Sequence, residues 1–192
     1  MKYEKNNYNN EKIDNSIYSF SLIDFFKFNS SHFVVCKNFR EYLHGHNYKV
    51  SIEIDSLNMD DKSNSIINEE ILISKLERIC KNIHGKMLIP SLNKNFKLNL
   101  IKSVNTNCKN TFDSNVELKV IFDNSIFLFP EGDCVLIEIE QISSELLSKY
   151  ICNKLIENDG FEEIKNRGII YKSLTIKVSE DLKKSASYRT TL

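Results

Sequence analysis

Leu43-His44-Gly45-His46-Asn47-Tyr48-Lys49-Val50-Ser51-Ile52-Glu53-Ile54-Asp55 is the run on which the fold turns. Tyr48, Val50, Ile52 and Ile54 alternate with Lys49, Ser51, Glu53 and Asp55. An alternation of period two marks a β-strand with one buried face. The strand is expected over 46–55. Carried back by the same parity, His44 and His46 fall on the apolar side. Gly45 between them leaves room for another backbone or a ligand to approach closely. A third histidine, His32, lies upstream in Phe25-Phe26-Lys27-Phe28-Asn29-Ser30-Ser31-His32-Phe33, an aromatic-rich stretch that also reads as a strand. Two neighbouring strands would then bring three imidazoles to one ion. Neutral imidazole is the commonest metal-ligating side chain, and three of them with an open fourth position suit a catalytic zinc. The competing reading is a turn with solvated surface histidines. The third histidine and the aromatic frame favour the metal.

Composition limits what else the chain can be. Its 192 residues suit one domain with appendages, and 41% hydrophobic content is enough for a core. Lys and Arg total 26 and so do Asp and Glu, which gives no general affinity for nucleic acid or an anionic membrane. No apolar run reaches transmembrane length. The first residues, Met1-Lys2-Tyr3-Glu4-Lys5-Asn6-Asn7-Tyr8, have no apolar signal core. The five cysteines (Cys36, Cys80, Cys108, Cys134, Cys152) form no CxxC pair and read as reduced thiols of a cytoplasmic protein.

Along the chain, residues 1–15 are rich in Asn, Lys and Glu and are expected to be a disordered tail, with a single domain over 16–192. A first strand is expected over 17–28. A helix should start at Asn68, a capping residue followed by Glu69 and Glu70. Leu72, Leu76, Ile79, Cys80 and Ile83 would form its buried stripe, and Gly85 its end. The segment around Asn105-Thr106-Asn107-Cys108 reads as an exposed loop. Val116, Leu118 and Val120 suggest a short strand. Ser143-Ser144-Glu145 opens a second helix with Leu147, Tyr150, Ile151 and Leu155 inward, closed by Asn158-Asp159-Gly160. Leu174, Ile176 and Val178 form the last strand. This order favours an α+β domain, an antiparallel sheet carrying two helices on one face.

Phe28-x-x-Ser31-His32 followed by Leu43-His44-Gly45-His46-Asn47-Tyr48 and a strand resembles the 6-pyruvoyl-tetrahydropterin synthase family, which includes the 6-carboxy-tetrahydropterin synthases. Ser143-Ser144-Glu145 is similar to that family's Thr/Ser-x-Glu helix start. Val178-Ser179-Glu180 with Ala186-x-Tyr188 resembles its C-terminal strand and Glu motif. The resemblance spans about 17–192 and is weakest over 90–135. It implies the tunnelling or T-fold: a four-stranded antiparallel sheet with two helices, whose copies pair edge to edge into a barrel. It also implies a homohexamer, a dimer of trimers, with active sites between protomers.

The resemblance further assigns roles. Zinc would be held by His32, His44 and His46. Glu180, on the inward parity of its strand, would anchor the pterin ring, and Glu145 and Ser144 would border it. His84 aligns with a proton-shuttling histidine that usually follows an aspartate, but Ile83 stands there. Family members carry a cysteine as general base just before the His-Gly-His element. Here Cys36 lies eight residues before His44 beside Val35 and reads as a packed thiol. Glu41, three residues before His44, is the candidate base, or else a surface charge paired with Arg40 or Lys37. Glutamate in place of cysteine resembles a subgroup found in malaria parasites. Those enzymes convert 7,8-dihydroneopterin triphosphate to 6-hydroxymethyl-7,8-dihydropterin for folate biosynthesis. The main family reaction, triphosphate elimination to 6-pyruvoyl-tetrahydropterin, and a non-catalytic pterin- or metal-binding module are the alternatives.

Overall fold

The computed structural model describes residues 16–102, 116–122, 125–157, 160–181 and 183–192. The expected 1–15 tail, the loop at 105–108 and the Asn158-Asp159 helix end lie outside them.

The decisive run forms β4 (His44–Ser56), which pairs antiparallel with β1 (Tyr18–His32). The two β1 stretches read from sequence are one strand, bent by a bulge between Leu22 and Phe26 where Asp24 takes a positive φ of 51°. β10 (Tyr171–Ser179) pairs with the other side of β4, and β11 (Ser185–Thr191) pairs with β10. These four strands are the expected antiparallel sheet. Two short strands extend it: β5 (Lys86–Pro90) lies parallel to β1, and β9 (Cys134–Ile137) parallel to β5. The sheet therefore has six strands in the order β11-β10-β4-β1-β5-β9. A buried run such as Met87-Leu88-Ile89 has no alternation to announce it, because both of its faces are covered.

Two helices complete the main layer. α1 (Glu69–Ile83) starts where Asn68 caps it by accepting the Ile71 amide, and it buries Leu72, Leu76, Cys80 and Ile83, with Ile79 half-buried. Gly85 follows with φ +70°, a conformation glycine adopts without steric cost. α2 (Ser144–Ile156) is capped by Ser143 and buries Leu147, Ile151, Cys152 and Leu155, with Tyr150 half-buried. Both helices share one core with Tyr48, Val50, Ile52 and Ile54 of β4 and Leu174, Ile176 and Val178 of β10. Each such side chain contributes about 1.5–3 kcal/mol on burial. A slip of one residue in β4 would expose all four, so the core fixes the register that places the histidines.

Beside this layer stand the hairpin β2 (Val35–Cys36) and β3 (Phe39–Arg40), and a separate sheet of β6 (Lys97–Lys102), β7 (Val116–Phe122) and β8 (Ser125–Pro130). A second core lies there: Phe33, Val35, Met87, Ile89 and Phe96, with Phe127 and Phe129 against it. Among the described residues no helix is long and apolar enough to cross a membrane.

Candidate functional site

The β1–β4 register sets His32 opposite His44 and Ser30 opposite His46. The three rings meet with centroids 4.6, 5.3 and 4.9 Å apart, and one ligand atom of each lies within 4.8 Å of the others. Gly45 makes this approach possible. A Cβ there would stand 3.1 Å from the Ser30 carbonyl oxygen and 3.3 Å from Ser31 Oγ. The close partner is thus the backbone of β1.

The donor set fits a metal ion. His32 is 3% exposed, and neither of its ring nitrogens has a hydrogen-bond partner. An unpaired buried polar group costs about 1–3 kcal/mol, which a coordinated ion would relieve. Burial first, then the neighbouring His44 and His46, push the His32 pKa from 6.5 down to about 4. The ring is therefore neutral, the ligating form, at physiological pH. His44 Nδ1 lies 2.8 Å from the Tyr42 carbonyl, which can only accept, so this nitrogen carries the proton and Nε2 keeps a free lone pair. A backbone carbonyl orienting the other ring nitrogen is the usual support of a metal-ligating histidine.

A cleft of about 490 Å³ opens over this cluster and is lined by all three histidines, Glu41, Ser144, Glu145 and Glu180. Glu41 follows β3; its amide donates to the Val34 carbonyl at 2.9 Å and its carboxylate accepts the Val34 amide at 3.3 Å. No ion pair holds Glu41 among the described residues. Arg40 instead donates to the Glu41 carbonyl at 2.7 Å and lies over the Phe127 ring. The alternative, a surface pairing with Arg40 or Lys37, is not made, and Glu41 lines the cleft. Glu180 follows β10 on the parity of Val178, the face that carries the histidines. Ser144 Oγ donates to its Oε1 at 3.0 Å. Glu145, in the first turn of α2, is exposed at the rim.

Cys36 does not line the cleft, and it is exposed rather than packed. Val35 is the inward residue of β2, so alternation turns Cys36 out. His84 also lies away from the cleft of its own chain. It caps the end of α1, its Nδ1 accepts the Asn29 amide at 3.3 Å, and it lines a second cleft with Lys27, Glu77 and Lys81. The Asn29 amide is a donor, so it holds Nδ1 as an acceptor and does not replace the acceptor that an aspartate at position 83 would supply.

The family model for 6-pyruvoyl tetrahydropterin synthase matches residues 22–191. The chain belongs to this family. Among solved structures, 6-pyruvoyl tetrahydropterin synthase from Plasmodium vivax is 28% identical with a TM-score of 0.78, over 92% of this chain and 99% of that one. The Plasmodium falciparum enzyme is also 28% identical, with a TM-score of 0.75 over 93% of this chain and 100% of that one. Catalytic-residue mutants of the P. vivax enzyme, with a glutamate changed to cysteine or to alanine, match at 26% identity and a TM-score of 0.75. The Caenorhabditis elegans enzyme, at 13% identity and a TM-score of 0.53, shares the fold. No curated protein sequence matches.

Several residues of this family member's cleft escaped the sequence reading. Lys183 and Lys184 line it from the turn between β10 and β11. That turn is held by Asp181, whose carboxylate accepts the Lys183 and Lys184 amides at 2.6 and 2.7 Å and is held below its ordinary pKa by those two bonds. An aspartate that bonds amides two and three residues on is a turn signal readable from sequence. Tyr48 lies beneath the histidines, 1% exposed and stacked on Phe28 at 4.7 Å, and its hydroxyl has no partner. Burial, and then the charge of Glu180, raise that phenol above its ordinary pKa.

Proposed function

We propose that the protein is a zinc-dependent lyase that cleaves the side chain of 7,8-dihydroneopterin triphosphate to give 6-hydroxymethyl-7,8-dihydropterin, which feeds folate synthesis. The observation that carries this reading is the Glu41 carboxylate in the histidine cleft, with the nearby thiol of Cys36 turned out of it. The P. vivax relative, whose catalytic-residue mutants replace a glutamate, supports the assignment.

Each side chain has a task that its chemistry suits. Glu180 anchors the pterin: its two oxygens accept parallel N–H bonds from the 2-amino and N3 edge, and Ser144 holds one oxygen in line. Glu145 borders the same end. His32, His44 and His46 would hold zinc, a Lewis acid that acidifies a neighbouring hydroxyl and stabilises developing negative charge. Glu41 takes the proton from the hydroxyl on the second side-chain carbon. The bond between the first and second carbons then breaks. Its electron pair passes into the C6=N5 system of the ring, and a two-carbon aldehyde bearing the phosphates departs. A proton returned to the first carbon completes the hydroxymethyl group.

His84 is assigned the proton relay for the cleft of a neighbouring copy, because it stands away from the cleft of its own chain. This fits the family arrangement of a hexamer, a dimer of trimers, with sites between protomers. Among the described residues the outer edges of β11 and β9 pair with no further strand, which supports edge-to-edge association.

The second reading is triphosphate elimination to 6-pyruvoyl-tetrahydropterin. It is favoured by the family name shared with both Plasmodium relatives. Incubating zinc-loaded protein with the substrate and separating products by chromatography decides between them. The proposal expects the hydroxymethyl compound, and a predominance of the pyruvoyl compound overturns it. Glu41→Ala should lose on the order of 100- to 10,000-fold in rate with zinc content unchanged. Loss of zinc from that variant would make Glu41 a ligand instead.

A further inference from the structure

Glu41 sits on a short connection, yet proton transfer needs its carboxylate fixed within a fraction of an ångström. The peptide group between Val34 and Val35 is held at both ends. Its carbonyl accepts the Glu41 amide at 2.9 Å. Its N–H donates, on the opposite side, to Gln141 Oε1 at 3.4 Å. A trans peptide points these two groups in opposite directions, so rotating the plane breaks both bonds together. The Val34 N–H completes the bracket by donating to Glu41 Oε2.

Gln141 holds the outer edge of β2 twice. Its amide nitrogen donates to the Val35 carbonyl while its oxygen accepts the Val35 N–H. One side-chain amide thereby satisfies the two backbone groups that a third strand would otherwise satisfy. Asn93, itself buried, donates to the same carbonyl at 3.0 Å, and Asn95 does so at 3.4 Å. Asn93 Oδ1 in turn holds the Asn95 amide at 2.8 Å. Beneath this bond network, Val35 is fully buried among Phe33, Ile89 and Phe96. Gln141 leads directly into Ile142, Ser143 and Ser144, which line the opposite wall of the cleft. The amide thus ties the wall that bears the acid–base group to the wall that bears the pterin-side residues.

We infer that Gln141, backed by Asn93, is the positioning residue for Glu41: it fixes the β2–β3 hairpin against the start of α2 and so sets the distance between carboxylate and substrate. This inference rests on the reading of Glu41 as the acid–base group. Gln141 does not line the cleft. Its effect passes through the Val34–Val35 peptide, and it should govern turnover rather than binding.

The test is a double-mutant cycle in zinc-loaded protein, with Gln141→Leu and Glu41→Ala singly and together. Gln141→Leu keeps the bulk and removes the hydrogen bonds to the Val35 N–H, the Val35 carbonyl and Cys36 Sγ. A displacement of about 1 Å costs on the order of 100-fold in rate. The expected result is a fall of that order in kcat, with KM and zinc content unchanged. Gln141→Leu should cost nothing more once Glu41 is alanine, because residues that act as a unit are not additive. Amide hydrogen exchange gives a readout free of activity. Exchange at the Val35 and Glu41 amides should accelerate in Gln141→Leu, while exchange in the helix cores stays unchanged. Gln141→Met, which keeps the length and removes the same bonds, is the second variant should Gln141→Leu fold poorly, and it should show the same fall in kcat. An equal loss in both backgrounds, or full activity in Gln141→Leu while Glu41→Ala is inactive, overturns the positioning role alone. Full activity in Glu41→Ala overturns the reading of Glu41 and this inference with it.

Discussion

His32 makes the metal-free protein sensitive to pH by an amount that follows from its surroundings. Burial, His44 and His46 depress its pKa from 6.5 to about 4. Above pH 6.5 the ring is neutral in both folded and unfolded chains and adds no pH dependence. Between pH 6.5 and 4 the unfolded chain takes up a proton that the folded chain refuses, so stability falls as pH falls. Below pH 4 both states are protonated and the loss levels off. At about 1.4 kcal/mol for each pH unit between the two values, the loss is about 3 kcal/mol. That is a large share of the roughly 5–15 kcal/mol that stabilises a typical domain. The assay is urea unfolding of chelator-treated protein at steps from pH 7 to pH 4, for the natural chain and for His32→Leu. Carboxylates titrate in both, so the difference between the two curves isolates His32. His32→Leu should flatten the profile by about 3 kcal/mol over this window. At pH 7 it should cost little, because it removes two buried nitrogens that have no partner. At pH 7 zinc should separate the two in favour of the natural chain. At a thousand times its Kd it adds about 4 kcal/mol to the natural chain and far less to the variant. Identical pH slopes in the two proteins would refute the burial-depressed pKa of His32, and a transition that zinc leaves unmoved would refute the metal reading of the cluster.

Three further outcomes follow from the same geometry. Gly45→Ala should weaken zinc binding in a competition titration, because a Cβ 3.1 Å from the Ser30 carbonyl pushes the two histidine-bearing strands apart; unchanged affinity would mean the strands yield freely. Glu180→Gln replaces one of the two carboxylate acceptors proposed to hold the pterin with a donor and should raise KM roughly 10- to 100-fold, about 1.5–3 kcal/mol for a charge-assisted hydrogen bond, with zinc content unchanged. Lys183→Ala with Lys184→Ala should raise KM for the triphosphate and leave binding of dephosphorylated dihydroneopterin unchanged, with a weaker salt dependence than the natural chain; equal effects on both compounds would place the phosphates elsewhere.

The elements readable from sequence were those with one wet face and one dry face. β4 showed its alternation, α1 its stripe and its Asn68 cap, and α2 its Ser143 cap. β5 was not readable, since a short strand covered on both faces carries no period, and β9 was not because its four residues are all apolar although Leu136 is exposed. Cys36 was misread because Val35 beside it suggested burial, whereas neighbours on a strand face opposite ways. The histidine cluster was legible because two of its members share a strand face two residues apart. Glu180 and Ser144 were named from family motifs, and their 3.0 Å contact spans 36 positions of the chain.

The sequence by itself determined the parity of His44 and His46, the apolar face that buries behind them, and the presence of a carboxylate three residues ahead. These are local properties, set by the two-residue repeat of an extended backbone. Only the tertiary structure decided that His32 stands opposite His44, that Glu41 escapes its neighbouring cations, and that Gln141 braces the hairpin from 106 residues away. It also decided that His84 faces a different cleft from the one the other histidines line. Those facts depend on strand register and on which elements meet in space. Both are fixed by burying the whole core at once, and no single segment encodes them.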